Sequence, residues 1–173
     1  QDGKRIADLK IEEISEYISR PDCFVWVALK DPDAAELGRM REEFNLHELA
    51  IEDASRGHQR PKIEEYSDYL FVVLPTVDIG EDKQLERGEV DIFVAKNYIL
   101  SIRHIAKQGF VSVRDRCERE PHLLKHGSAF VLYALIDSVV DRYFPVENYL
   151  ESELEMIEER IFSGRDNARG NIE

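Results

Sequence analysis

Apolar runs of strand length and helical patterns alternate along the first half of the chain. The uninterrupted run Cys23–Leu29 (CFVWVAL) predicts a strand buried on both faces. Before it, Ile11–Ser19 carries apolar residues at helical spacing, and a short first strand is expected over Lys4–Lys10. A further strand is predicted at Tyr69–Val77 (YLFVVLPTV), with Pro75 near its end or at a sheet edge.

Two helices are expected between these strands. Asp31 and Pro32 suit the N-cap and the first turn of the longer one. A shorter helix is predicted over His47–Ala54, and the segment Ser55–Pro61 (SRGHQRP) ends it. The longer helix has a predicted core stripe at helical spacing: Leu37, Met40 and Phe44.

The second half begins with a predicted hairpin and ends in a long helix. Glu89–Ala95 and Tyr98–His104 are expected to pair around Lys96–Asn97. A helix of about three turns follows, and from Ser128 apolar residues recur in steps of three or four as far as Ile161. This last pattern predicts one long helix that is rich in glutamate. Pro145 is expected to kink it.

Interleaved strands and helices before a final helix predict the α/β class, with a mixed sheet covered by helices. We expect an α/β domain at residues 1–126 and a long acidic helix at residues 127–173. The start at Gln1 instead of Met indicates a piece of a longer protein. The longest apolar run, Ala129–Ile136, is too short to cross a bilayer, so the piece itself is expected to be soluble.

The charge of the chain restricts its partners. Acidic residues outnumber basic ones by 36 to 23, which gives a net charge of −13. Phosphates of nucleic acids and anionic lipid surfaces would repel such a chain, so neither is expected as a direct partner. The two cysteines, Cys23 and Cys117, are far apart in sequence, which indicates buried thiols in a reducing compartment.

The common catalytic signatures are missing from the sequence, which has no P-loop, GxGxxG, HExxH or GxSxG motif. His122 and His126 are four residues apart and could share a helix face. A lone pair of this kind is a weak signal for a metal site, and the start of a surface helix is the alternative interpretation.

Carboxylates form the most distinctive chemistry. Glu48 and Glu52 share a face of the short helix, and Glu52 and Asp53 are adjacent. Such oxygen ligands suit magnesium or calcium, although the spacing alone favours a solvated helix face. Asp137 lies in an apolar stretch, YALIDSVVDRYF, where a buried carboxylate needs a partner or a metal. Alternatively it lies on the polar flank of the helix or bonds to Tyr133 or Arg142, and Asp141 one turn later is equally eligible.

Two blocks of the sequence resemble one family. They are Phe44–Leu74 (FNLHELAIEDASRGHQRPKIEEYSDYLFVVL) and Leu132–Val146 (LYALIDSVVDRYFPV), and Trp26 precedes Asp31-Pro32 upstream. In this order they resemble the cytosolic N-terminal domain of the CorA-type magnesium and divalent-cation transporters. The resemblance implies an α/β/α sandwich followed by long helices, in a homopentamer at the cytoplasmic face of the inner (plasma) membrane. Membrane contact would come only through helices beyond Glu173.

The same resemblance implies a regulatory cation site between neighbouring domains. Glu52 and Asp53 match a carboxylate pair from one subunit, and Asp137 matches another acid near that site. The neighbour's stalk would supply an opposing acid from beyond this chain. The expected ion is Mg²⁺, with Co²⁺ or another divalent cation as alternatives, and its binding between subunits would favour the closed state of the transporter.

Three alternatives remain at this point. The zinc-transporting branch of the family, ZntB-like, would have a similar cytosolic domain, but the all-oxygen candidate site suits magnesium. A hydrolase would use Glu52 and Asp53 as acid and base in a deep pocket, with divergent pKa values. A soluble interaction module would dock a partner on the long helix. We expect a cation sensor and not an enzyme, and a monomeric or weakly self-associated state for the chain alone.

Overall fold

A five-stranded mixed sheet forms the centre of the computed structural model, which describes residues 2–57, 59–105 and 108–169, and side chains as far as residue 163. The strands lie in the order β1-β5-β4-β3-β2; β1 is parallel to β5, and the other neighbours are antiparallel. Their bounds are β1 Val25–Lys30, β2 Lys62–Glu65, β3 Leu70–Ile79, β4 Leu85–Val94 and β5 Tyr98–His104.

Helices cover both faces of this sheet. A 3-10 turn at Ile11–Glu13 leads into α1, which with α2 and α3 packs on one face, while α4, α5 and α6 pack on the other. The helices are α1 Ile14–Ile18, α2 Ala34–Phe44, α3 Glu48–Arg56, α4 Val111–Arg119, α5 Pro121–Leu124, α6 Ser128–Asp141 and α7 Tyr143–Arg169. The predicted α/β/α architecture with a mixed sheet is therefore confirmed.

Strand alternation divides the core into two clusters. In β4, Val90 and Ile92 face α4–α6, whereas Phe93 faces α1–α3, where it stacks on Phe71 with ring centroids 4.6 Å apart. The predicted stripe of α2 packs on the face covered by α1–α3, where Leu37, Met40 and Phe44 are buried. Successive side chains of a strand point to opposite faces, so one strand supplies both cores.

The N-terminal segment and the first edge differ from expectation. Residues 4–10 form no strand, and Leu9 packs instead against the core under α1–α3. β1 is an edge strand that pairs only with β5, so Ala28 and Lys30 are exposed and the prediction of burial on both faces is wrong. Apolar composition alone does not distinguish an edge strand from a central one.

The cap of α2 also differs. Asp33, not Asp31, is the N-cap: its Oδ1 accepts the Glu36 N–H at 2.8 Å, and Glu36 Oε2 accepts the Asp33 N–H at 3.0 Å. This reciprocal pair is a capping box. Asp31 has a left-handed backbone and accepts the Ile105 N–H at 3.0 Å, which ties the end of β1 to the end of β5.

The predicted long C-terminal helix is present, with one interruption at Arg142, which keeps right-handed helical dihedral angles (φ −73°, ψ −17°). α6 ends at Asp141, and α7 begins at Tyr143. Pro145 has no N–H and its ring clashes with the carbonyl four residues earlier, that of Asp141, so the regular helical hydrogen bonding is interrupted there. The Tyr143 hydroxyl donates to the Pro75 carbonyl, beyond the last residue of β3 that β2 pairs, which agrees with an edge position for Pro75. Among the described residues, no helix has the length and apolarity to traverse a bilayer.

Candidate metal site and the buried acids beneath it

Helix α3 places Glu52 and Asp53 at the surface. Its buried residues, Ala50 and Ala54, are fully enclosed and set the helix close to the sheet. His47 is the N-cap: its Nδ1 accepts the Leu49 N–H at 3.2 Å, while its own N–H donates to the Tyr69 hydroxyl at 3.0 Å. The helix is thus fixed at its start, and its two adjacent carboxylates are partly exposed, Glu52 by 41% and Asp53 by 31%.

Asp53 is held by a lysine from the neighbouring strand. Lys62 Nζ lies 2.7 Å from Asp53 Oδ2 and 2.9 Å from Glu64 Oε1, and 5.3 Å above the centre of the Phe71 ring. Burial opposes the ammonium charge, but the hydrogen bonds to the two carboxylates outweigh it, so the pKa of Lys62 is raised. A cation that binds Asp53 must therefore displace this ammonium or bind beside it.

Glu52 has a different partner. Its Oε1 lies 2.5 Å from an Arg56 Nη2 one helical turn later, and both side chains are largely exposed. Exposed pairs of this spacing contribute only about 0.3–0.5 kcal/mol. The guanidinium therefore leaves the Glu52 carboxylate available to another cation at little cost.

Asp137 lies on the other side of the sheet. It belongs to α6, and its Oδ2 is 2.6 Å from Arg116 Nη1 on α4, so neither Tyr133 nor Arg142 is its partner. This hydrogen bond raises the pKa of Arg116. The sheet separates Asp137 from Glu52 and Asp53, so one chain does not bring the three candidates together.

No complete metal site forms within the part of the chain that the structure describes. There, no group of three or more His, Cys, Asp or Glu side chains is placed to hold an ion. Oxygen ligands of Glu52, Asp53 and Asp137 suit magnesium chemically, but each already bonds to a basic side chain. His122 and His126 are exposed and α5 ends at Leu124, so they do not share a helix face.

Two buried acids beneath the loop after α3 were missed by sequence reasoning. Glu89 is 3% exposed and Asp91 is 0% exposed, on the face of β4 that α3 covers. Glu89 Oε2 accepts the Gln59 N–H at 2.7 Å, whereas Glu89 Oε1 and both Asp91 oxygens have no partner. His104 Nε2 lies 3.6 Å from Asp91 Oδ2, too far for a hydrogen bond.

Burial makes Asp91 an unusual acid. Desolvation first, then the charge of Glu89 and the hydrogen bond that a protonated Asp91 carboxyl can donate to it, then the charge of Asp53, raise the pKa of Asp91 to about 9, and Lys62 opposes them. Asp91 is therefore protonated at neutral pH. The signal was present in GEVDIFV, because alternation places Glu89 and Asp91 on the same face as the buried Phe93.

The chain matches a family model described as "CorA-like Mg2+ transporter protein" over residues 22–172. It is 32% identical over 125 residues to the cobalt/magnesium transport protein CorA of Thermotoga maritima, a match that covers 71% of this chain and 36% of that protein. The chain spans about half or less of the length of the curated relatives it matches.

Two solved structures share the fold. The soluble domain of CorA from Methanocaldococcus jannaschii superposes with a TM-score of 0.61 at 20% identity, covering 80% of this chain and 55% of that one. The ZntB cytoplasmic domain from Vibrio parahaemolyticus gives a TM-score of 0.58 at 14% identity, covering 82% of this chain and 62% of that one.

Proposed function

Because the chain belongs to the CorA-like Mg²⁺ transporter family, we propose that it is the cation-sensing domain of a larger magnesium transporter, with Co²⁺ as an alternative substrate. The family match over residues 22–172 carries this proposal. The family is one of transporters, so the hydrolase alternative receives no support at this level. We place the domain at the cytoplasmic face of the membrane, in a ring of five copies.

The positions of the candidate ligands support a site between copies. Glu52 and Asp53 lie on one side of the sheet and Asp137 on the other. In a closed ring of more than two copies, each interface joins one face of a copy to a different face of the next copy. One copy's α3 can then face the next copy's α6, so that carboxylates which are apart in one chain share an ion between two.

The mechanism is a balance of charges at this interface. Without a divalent cation, the carboxylates of neighbouring copies repel one another. Glu52 and Asp53 of one copy and Asp137 of the next would hold Mg²⁺, which would keep several waters because it dehydrates reluctantly, and its charge would favour the closed ring. An ion at ten times its dissociation constant contributes about 1.4 kcal/mol per site. Five sites then contribute about 7 kcal/mol. A two-state gate needs about 5.5 kcal/mol to shift its ratio of closed to open forms from 1:99 to 99:1, so five weak sites are sufficient.

Limited proteolysis of the full-length protein tests this proposal. Mg²⁺ should slow tryptic cleavage of the wild type, and the double variant Glu52→Gln/Asp53→Asn should lose that protection. Glu42→Gln/Glu43→Gln, an adjacent pair on α2, is the matched control that should keep it. Protection by Mg²⁺ that persists in the Glu52/Asp53 variant would mean that this pair is only a solvated helix face.

A zinc transporter is the second candidate, because the ZntB cytoplasmic domain shares the fold. Zinc prefers nitrogen and sulfur ligands, whereas the candidate site offers only carboxylate oxygens. The same assay separates the two: a magnesium sensor is protected by millimolar Mg²⁺, while protection by micromolar Zn²⁺ alone would favour the zinc branch.

A further inference from the structure

Four buried polar atoms lack a hydrogen-bond partner on the sheet face beneath the loop that follows α3. They are Glu89 Oε1, both carboxylate oxygens of Asp91, and His104 Nε2. A buried polar atom without a partner costs about 1–3 kcal/mol. Two ionised carboxylates at this depth would cost more, so the cluster requires something that neutralises it.

A single proton removes most of that cost. Ionised carboxylates only accept hydrogen bonds, so Glu89 and Asp91 cannot bond to each other when both are charged. With one proton, the Asp91 carboxyl donates and Glu89 Oε1 accepts. The same proton thus provides a partner for two atoms that otherwise have none and leaves one charge where there would be two.

The loop after α3 contacts the sheet at this cluster. Glu89 and His104 are direct cross-strand neighbours on β4 and β5. The Gln59 N–H donates to Glu89 Oε2 at 2.7 Å. Gly57 has φ of +60°, and a β-carbon there would lie 4.0 Å from the His104 Cβ and Cγ. Of the described loop residues, Gln59 therefore bonds directly to Glu89, and Gly57 lies beside His104.

We propose that Glu89 and Asp91, beside His104, form a buried proton-binding site that holds the loop after α3 against the sheet. When the proton is bound, Glu89 keeps its hydrogen bonds to Asp91 and to the Gln59 N–H. When the proton is lost, two like charges share a dry site, and the loop moves away so that water can solvate them. The ligand of this site is a proton, and the proposal does not depend on a metal ion at α3.

The charged groups around the cluster do not neutralise it. Asp53 faces it from α3, Lys62 and Glu64 from β2, and His104 from β5. The Lys62 ammonium already bonds to both Asp53 and Glu64, so these three groups together carry one negative charge. The raised pKa of Asp91 agrees with this arrangement.

Hydrogen exchange of the Gln59 amide in the 173-residue chain measures the loop directly. If opening releases one proton, the protection factor of this amide should fall about tenfold per pH unit as the pH rises from 6.5 to 8.5. Asp91→Asn retains the donor to Glu89 but cannot ionise, so its protection factor should not change with pH. Asp115→Asn, an exposed site on α4, is the control that should behave as the wild type.

Two results would overturn the proposal: a protection factor in the wild type that does not depend on pH, or the same dependence in Asp91→Asn. A second measurement does not rely on a variant. The carbon-13 shift of the Asp91 carboxyl should report the protonated form at pH 6.5, and an ionised carboxylate at that pH would also overturn it. Neither readout involves magnesium or transport, so failure here is distinguishable from failure of the proposed function.

Discussion

Asp53 and Asp91 are the same residue type in opposite environments. Asp53 is partly exposed and bonds to the Lys62 ammonium at 2.7 Å, whereas Asp91 is fully buried with no hydrogen-bond partner for either oxygen. A bonded ammonium stabilises the ionised form, and desolvation stabilises the protonated one. At the scale of single residues, the bonded ammonium therefore favours the ionised form of Asp53, and burial favours the protonated form of Asp91.

The first prediction concerns Asp91 and stability. In the unfolded chain a carboxyl loses its proton near pH 4, whereas the fold raises the pKa of Asp91 to about 9. Between these values the native state holds the extra proton, so its free energy of unfolding should fall as the pH rises, by up to about 1.4 kcal/mol per unit from this group. Urea denaturation at pH 6, 7 and 8 measures it. Glu89→Gln should reduce the slope, and an unchanged slope would contradict the assignment.

The second prediction concerns Lys62. Its ammonium competes with any cation for Asp53 and Glu64. Lys62→Met should therefore lower the Mg²⁺ concentration that gives half-maximal protection of the full-length protein from proteolysis, by several-fold. Because trypsin cleaves after lysine, the assay should use a protease that does not. Lys30→Met, on the exposed edge of β1, is the control. A higher midpoint in Lys62→Met would show that the lysine supports the site instead of competing for it.

At the scale of elements, long apolar patterns were predictive and short polar ones were not. The β5 bounds, Tyr98–His104, agree with the prediction, because the strand is central and apolar. β2 (KIEE) was missed because its four residues are mostly charged and it forms by pairing with β3. The adjacent carboxylates at residues 52 and 53 were visible in the sequence. The basic partners of Asp53 and Asp137 were not, since Lys62 lies on β2, and Arg116 precedes Asp137 by 21 residues.

The third prediction tests a helix end. Asp33→Ala removes the side chain that accepts the Glu36 N–H in the capping box of α2. Loss of such a cap costs about 1 kcal/mol of the free energy of unfolding. Asp115→Ala, in the exposed interior of α4, should change it by less than about 0.5 kcal/mol. Urea denaturation compares the two, and equal effects would mean that the cap does not contribute to stability in this helix.

At the scale of the whole molecule, the net charge and the terminal helix are expected to have opposite effects on association. Each chain carries a net charge of −13, and the described part of α7 exposes a series of apolar side chains: Leu150, Leu154, Ile157, Ile161 and Phe162. Apolar surface favours contact between copies, while like charges oppose it. The predicted division at residues 126 and 127 stays a prediction, as does the ring of five copies.

The fourth prediction is the state of the 173-residue chain by itself. Without divalent cations, repulsion between the acidic copies should keep it monomeric or weakly self-associated at micromolar concentration. Added Mg²⁺ should increase the mean mass, and a chelator should reverse that increase. Light scattering measures both. A stable pentamer in the absence of any divalent cation would contradict the proposed role of the interface ion.

The central claim is that carboxylates of α3 sense internal magnesium, and uptake by the full-length protein tests it most directly. Vesicles that contain the transporter are loaded with increasing Mg²⁺, and the initial rate of Mg²⁺ entry is measured for the wild type, for Glu52→Gln/Asp53→Asn and for the control Glu42→Gln/Glu43→Gln. We predict that internal Mg²⁺ inhibits Mg²⁺ entry in the wild type and in the control. The Glu52/Asp53 variant should keep a high initial rate of entry at internal Mg²⁺ concentrations that inhibit the wild type. Equal inhibition of all three proteins would contradict the claim.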